Sequence, residues 1–387
     1  MKNLVASFML GSAFLAFPAF AVGETGSTAD SQSQMQASSE KNIQAEISSL
    51  QKVLAKMPKV SGYVQTGYMW QDKNMGDKQS TFQLKRMRLM LDGKISDVFD
   101  YKVQFECFSS SKDGRNKALV TVMDMFVNAH VSTALNFRLG QFYMPLGFEN
   151  YFISPATLET VDFSNICYRM VCRNPITDKS YIDYGRDLGV MAYGEFLPAA
   201  DKGFNYLGYY LSLTNGALPN RGDENRAKDF AGSFTVRPIK NLLLLGSYNY
   251  GEYAGNDKNN IARKNIPMNR YFGGAWYNDP TGLDLRAEYA RIKSSNGNIK
   301  ETGFYALAAY HLGKFLPVFR FDMYRDSKDD VSPQNKNCYL FGLTYQPLPQ
   351  VKFQANYTHT TFEKDVINAG VRDGAGNLVQ IMCLLKF

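Results

Sequence analysis

A long series of alternating apolar and polar segments constrains the fold of this chain more than any other feature. From residue 59 to the C-terminus we count about sixteen segments of roughly nine to eleven residues with period two, such as "FQLKRMRLML" and "FDYKVQFECF". Tight connections such as "STALN" alternate with long polar ones such as "NGALPNRGDENRAK". An even strand count with short turns at one rim and long loops at the other predicts an all-β, 16-stranded antiparallel transmembrane β-barrel.

Composition supports strands and narrows the function classes. Beyond the N-terminal stretch, no segment approaches the roughly twenty consecutive apolar residues of a membrane-spanning helix. The 24 Tyr, 27 Phe and 31 Gly suit a strand-rich chain. A net charge of +7 without a Lys/Arg run argues against nucleic-acid binding, and five scattered cysteines lack the spacing of a structural zinc site. A large secreted β-sandwich is the soluble alternative.

The N-terminal region predicts export and a small accessory element. Residues 1–21 combine a basic Lys2, an apolar stretch and an "AFA" cleavage site, as a secretory signal peptide does. Residues 22–39 are polar and are expected to be disordered. Apolar residues in 40–57 recur at steps of 4, 3, 4 and 3, which predicts a short helix. That helix is either an oligomerising coiled coil or an amphipathic helix lying on the protein or the membrane, and residues 59–387 form the barrel.

The two faces of the early strands can be assigned from charge. On the second strand Arg86 and Arg88 alternate with Met87, and on the fourth strand Asp124 alternates with Met123. Charge on the lipid face is costly near the middle of the membrane, so the charged parity is expected to line the lumen and Met123 to face lipid. The basic wall is defined here as the lumen-facing residues of strands two, three and five: Arg86, Arg88, Lys102 and Arg138.

The connection between the fifth and sixth strands, residues 144–185, is the candidate site. A loop of about forty residues is either functional or disordered, and this one is rich in aromatic and aliphatic residues. We expect it to fold into the barrel and form a constriction, an external cap being the alternative. Its first arm carries Glu149, Glu159 and Asp162, which would oppose the basic wall across the pore. On later strands, the pairs Arg286 with Glu288 and Arg320 with Asp322 are interpreted as groups that only solvate the lumen.

Three blocks carry a resemblance to a known family: "RMRLMLDGKISDVFDYKVQFE", "FRLGQFYMPLGFENY" and "RDLGVMAYGEF". They resemble the phosphate-selective porin O and P family, with Gly140-Gln141-Phe142, followed by Pro145 and Glu149, as the best-marked motif. The resemblance implies a trimeric channel in a Gram-negative outer membrane whose third loop narrows the pore. It also implies lysines near the constriction, yet no Lys or Arg lies between Gln141 and Tyr168, and the later cations are Arg169, Arg173 and Lys179.

These features together predict a diffusion porin. Its expected partners are small hydrophilic solutes, inorganic anions, outer-membrane lipid and two further copies of the chain, with weak anion selectivity. No catalytic residue, metal ligand or cofactor is predicted. The alternative is a surface scaffold or adhesin, or a barrel enzyme with a plugged lumen, for which His359 is the candidate.

Overall fold

The computed structural model describes a closed barrel and a short separate helix. The described residues are 43–49, 57–76, 79–110, 116–117, 120–176, 179–180, 185–200, 203–217, 219–223, 225–326, 334–362 and 374–387. Residues 43–49 are helical and exposed, and they belong to a unit distinct from Pro58–Phe387. Within these ranges no helix has both the length and the apolar character needed to cross a membrane. The predicted signal peptide and the polar segment 22–39 lie outside the described residues, as do parts of 40–57.

Sixteen antiparallel strands form the barrel, each paired with the next along the chain and the last with the first. This confirms the predicted fold class. The strands are β1 Lys59–Gln71, β2 Gln79–Lys94, β3 Phe99–Glu106, β4 Thr121–His130, β5 Asn136–Tyr143, β6 Arg186–Pro198, β7 Asn205–Thr214, β8 Asp229–Ile239, β9 Leu242–Asn256, β10 Ala262–Asn278, β11 Leu283–Ser294, β12 Ile299–Tyr310, β13 Phe315–Asp326, β14 Lys336–Leu348, β15 Val351–Phe362 and β16 Ala375–Lys386. Two further two-stranded ladders, Ser109–Ser110 with Asn116–Lys117 and Arg173–Asn174 with Lys179–Ser180, lie outside the barrel sheet.

Closure joins β1 to β16 through Gly62 and Phe387. The Gly62 N–H donates to the Phe387 carbonyl at 2.9 Å, and the Phe387 N–H donates to the Gly62 carbonyl at 3.0 Å. A Cβ on Gly62 would lie 2.5 Å from the Phe387 ring, so the glycine leaves room for the aromatic side chain. The apolar last strand therefore has a partner on each side, and the barrel has no open edge.

Aromatic side chains form a belt on the outer face. At the end of the barrel where the short turns lie, Phe315, Tyr345 and Phe353 stack across three neighbouring strands, with centroids 4.8 and 6.4 Å apart. Farther along the strands, Phe319 packs against Phe341 at 5.1 Å. All five rings are exposed on the outer surface, as expected of side chains at a lipid interface.

Two β-bulges break the alternation on the early strands. The β1–β2 register passes from Gln65↔Arg86 to Thr66↔Leu84, so Lys85 is the extra residue of the first bulge. The β3–β4 register skips Met123 in the same way. Bulged residues change face relative to strict alternation. Lys85 thereby reaches the loop inside the barrel, and Met123, which was predicted to face lipid, is buried with 1% of its surface exposed.

The Gly140-Gln141-Phe142 motif fastens the second bulge. The Gln141 side-chain N–H₂ donates to the carbonyls of Val122 (3.0 Å) and Met123 (2.8 Å), which satisfies backbone groups that the bulge removes from the ladder. Gly140 has φ +132°, and a Cβ there would lie 2.1 Å from a neighbouring carbonyl oxygen. Phe142 is completely buried. Gly140, Gln141 and Phe142 therefore each have a structural role at this bulge.

Candidate functional site

The described part of the connection between β5 and β6, called the constriction loop (residues 144–185), folds into the barrel. Backbone contacts fix its described part against the inner wall. Lys352 on β15 donates to the Leu158 carbonyl at 2.9 Å, and Asn356 accepts from the Val161 N–H at 2.6 Å. On the opposite side of the loop, the Ser233 hydroxyl of β8 donates to the Pro145 carbonyl at 2.5 Å. Strands far apart in the barrel thus hold one loop inside the lumen.

An apolar cluster inside the barrel explains why the loop is so hydrophobic. Its side chains pack against inward-facing apolar residues of the later strands, and this interior would otherwise be polar. The buried members include Leu146, Phe148, Leu158, Ile166 and Met170 from the loop and Met268, Ile292, Tyr305 and Tyr324 from the wall. Burial of apolar surface therefore contributes to docking alongside the hydrogen bonds.

Two acidic residues of the first arm, Glu149 and Glu159, face the inner surface of the barrel at β11 and form ion pairs there. Arg286 on β11 donates to both carboxylate oxygens of Glu159, at 3.1 and 2.8 Å, and its Nη2 lies 3.4 Å from Glu149 Oε1. All three side chains are buried. Burial alone would raise the pKa of Glu159, but the Arg286 guanidinium outweighs burial and lowers that pKa below its ordinary value. Glu149 and Glu159 are therefore structural anions in this arrangement.

The third acidic residue, Asp162, pairs with the bulged Lys85. The Lys85 Nζ lies 2.5 Å from Asp162 Oδ1, and Asp162 also accepts from Tyr168 (3.0 Å) and Gln380 (2.7 Å). Burial would raise the pKa of Asp162, but Lys85 and Arg86 together lower it well below the usual range. The β2 bulge thus supplies the cation that neutralises the middle of the loop.

Arg86 and Arg88 of the basic wall are both buried and engaged. The Arg86 guanidinium donates to Gln65 at 2.6 Å and to the Tyr168 hydroxyl at 3.2 Å, so it binds the wall and the loop together. Arg88 forms an ion pair with Glu106, with Nε 2.9 Å from Oε2. Both guanidinium groups bind other side chains of the protein. They therefore position the loop and the strands more directly than they contact a solute.

Lys102 and Arg138 occupy more open positions on the same wall. Lys102 lies 3.3 Å from Asp92, and both side chains remain partly exposed. The Arg138 Nε donates to the Asn128 side-chain carbonyl at 2.8 Å, and its guanidinium lies 4.0 Å from the centre of the Phe126 ring. Within the described part of the chain, Arg138 contacts amide and aromatic groups.

The second arm of the loop contains the later cations and two cysteines. Arg173 is buried in an ion pair with Glu301 on β12 and donates to the Tyr324 hydroxyl at 2.9 Å. Arg169 is half-buried, with its guanidinium 5.8 Å from the centre of the Tyr324 ring. The sulfur atoms of Cys167 and Cys172 are 4.0 Å apart, within reach of a weak S–H···S contact, and no disulfide joins them.

This arrangement differs from the predicted transverse field. Glu149 and Glu159 do not oppose the basic wall, because they point to Arg286 on the other side of the loop. Arg286 and Arg320, interpreted from sequence as solvating residues, instead hold the loop: Arg320 donates to the Asp162 carbonyl at 2.9 Å. Sequence reasoning missed Lys85 as well, because a bulge leaves no mark on the residue pattern.

Part of the sequence matches a known protein family. Residues 59–170 match the sequence model of the family described as phosphate-selective porin O and P. Over these residues the chain is therefore similar to that porin family. The match covers the first five strands and most of the constriction loop, including the quoted blocks that carry the resemblance up to Tyr151. No curated protein matches the sequence significantly.

Solved outer-membrane proteins share the fold of this chain. OmpF of Salmonella typhi, in complex with daunomycin, superposes with a TM-score of 0.62 at 11% identity, covering 86% of this chain and 98% of that one. The channel DcaP of Acinetobacter baumannii gives 0.56 at 11% identity, covering 85% and 97%. The trimer form of OmpT from Vibrio cholerae gives 0.54 at 11% identity, covering 85% and 99%. At such low identity the likeness concerns the fold.

The enzyme alternative rested on His359. Its Nδ1 lies 2.9 Å from the Asn377 side-chain oxygen, and Asn377 in turn donates to Asp72 at 2.9 Å. Among the described contacts of His359, the partner is an amide and not a serine or aspartate nucleophile. The family match and the porin-like fold favour a channel.

Proposed function

We propose that this porin passes small hydrophilic solutes and inorganic ions across the outer membrane by passive diffusion, with a weak preference for anions. The proposed selectivity is supported by a difference between the acidic and the basic side chains inside the barrel. Glu149, Glu159 and Asp162 are paired with arginine or lysine, whereas, within the described residues, Arg138 contacts amide and aromatic groups and Arg169 an aromatic ring. Cations without a paired anion bias a pore toward anions.

Phosphate specificity is not part of this proposal. Tight binding of a phosphate dianion needs several cationic donors converging on one position. In the described residues, Arg173 is committed to Glu301 and Lys85 to Asp162. The remaining cations act through an aqueous, partly screened lumen, so each solute is attracted weakly.

The same comparisons support a proposal for location and assembly. An outer face with aromatic belts suits a lipid bilayer, and the OmpT structure named above is a trimer form. We infer a homotrimer surrounded by outer-membrane lipid, with residues 1–21 acting as an export signal. Residues 40–57 would assist assembly.

Reversal-potential measurements in a potassium chloride gradient test the proposed selectivity. The wild-type porin should give a small potential of anionic sign, and replacing both Arg138→Gln and Arg169→Gln should move it toward cations. Arg291→Gln is the matched control, because Arg291 is exposed on the outer-facing parity of β11 and should change nothing. Block of the chloride current by micromolar phosphate would contradict weak selectivity.

A further inference from the structure

A recess of about 490 Å³ opens into the lumen near the rim with the short turns. It lies between the β4–β5 turn and strands β6 and β7, beneath the first arm of the constriction loop. Its size falls in the roughly 300–1,000 Å³ range of small-molecule sites. The lining residues used here are His130, Asn136, Tyr151, Tyr193, Glu195 and Tyr210.

Three tyrosine rings form the apolar side of the recess. Tyr193 and Tyr210 are directly opposite each other on β6 and β7, and their rings are parallel to within 7° with centroids 6.3 Å apart. Tyr151 of the loop meets Tyr210 edge to face at 5.0 Å. Both strand tyrosines are only half-buried, so part of each ring is accessible from the lumen.

Polar groups with spare hydrogen-bonding capacity surround these rings. Glu195 accepts one hydrogen bond from Asn205 at 3.0 Å, which leaves acceptor positions on its carboxylate. His130 lies 2.7 Å from Asp100 and 3.1 Å from Asn136, so the imidazole and the amide are held in fixed orientations. The recess therefore offers ring faces in the centre and donors and acceptors at the edge.

We propose that this recess is a binding site for sugars, in particular a hexose or disaccharide, which the porin holds briefly during passage. The inference rests on the proposed porin function and adds a solute class to it. A pyranose ring has apolar C–H faces and a rim of hydroxyl groups. The C–H faces are attracted to the negative faces of aromatic rings, and the hydroxyls can pair with Glu195 and Asn136. An aromatic solute would use the rings but leave most of the polar rim without partners.

Calorimetric titration of the detergent-folded full chain with maltose and glucose tests the site without requiring conduction. We expect saturable binding, weakened roughly tenfold by Tyr210→Ala and much less by Tyr210→Phe, which keeps the ring. Glu195→Gln should weaken binding several-fold. Tyr289→Ala, on the outer face of β11, is the matched control and should bind like wild type.

Current recordings in planar bilayers give a second readout. Maltose should reduce the ion current saturably, whereas a poly(ethylene glycol) of similar size should reduce it only in proportion to concentration. Absence of sugar binding by the folded chain, or binding unchanged in Tyr210→Ala, would overturn the site. Binding of hydroxybenzoate without binding of sugar would also overturn it. Sugar binding without any conductance would support the site and contradict the porin function, so the two failures are distinguishable.

Discussion

Replacing Arg286 should release the constriction loop. This side chain is completely buried and is the shared partner of Glu149 and Glu159. Arg286→Gln keeps a hydrogen-bonding amide on a shorter side chain but removes the charge. Two carboxylates then remain buried on the loop, and Arg320 lies 3.8 Å from Glu149.

The magnitude follows from the cost of an unpaired buried charge. Breaking a buried ion pair by removing one partner typically costs about 3–5 kcal/mol. Because Arg320 retains part of the interaction with Glu149, we expect a value near the lower end, about 3 kcal/mol. A change of that size increases the undocked fraction of the loop by roughly a hundredfold.

Single-channel recording and limited proteolysis measure that fraction. The Arg286→Gln porin should show frequent transitions to a higher conductance and faster cleavage within the loop. The matched control is Arg291→Gln, on the same strand but exposed on its outer-facing parity. Combining Arg286→Met with Glu149→Gln and Glu159→Gln should restore the wild-type trace, because the buried anions are then gone. Wild-type conductance and proteolytic resistance in Arg286→Gln alone would refute the reasoning.

Two further predictions concern pH and assembly. The pKa values of Glu159 and Asp162 are lowered, so their contribution to docking of the loop is complete above the ordinary carboxylate range and is lost only as pH falls through the lowered values. Single-channel conductance should therefore hold steady from pH 7 to about 4. An increase in conductance already at pH 5–6 would contradict this prediction. A chain beginning at Lys59 should dissociate from the trimer at a lower temperature than the full chain on unheated gels, because it lacks the apolar seam of 40–57, and unchanged thermal dissociation would assign that segment another role.

Local sequence pattern was sufficient for the barrel and for the position of its loop. Strand periodicity, turn spacing and the aromatic and aliphatic content of residues 144–185 are local properties that a single sequence displays. The predicted lumen parity of Arg86, Arg88 and Arg138 also follows from alternation alone. These features depend on neighbours within one or two strands.

The electrostatic partners could not be predicted in the same way. The pairing of Arg286 with Glu159 joins positions 127 residues apart, and it depends on how the loop crosses the lumen. The inward turn of Lys85 depends on a bulge that shifts one residue of register without any distinctive residue type. Sequence reasoning therefore identified the charged residues but assigned Glu149 and Glu159 to the wrong side of the loop.

The central claim is that this porin is an open channel narrowed by the constriction loop. Planar-bilayer recording of the wild-type chain beside a variant lacking about fifteen residues centred on Asp162 tests it most directly. We expect stepwise, ohmic conductance for the wild type and a larger step for the folded variant. A wild type without conductance, or a deletion variant that folds and conducts like the wild type, would contradict it.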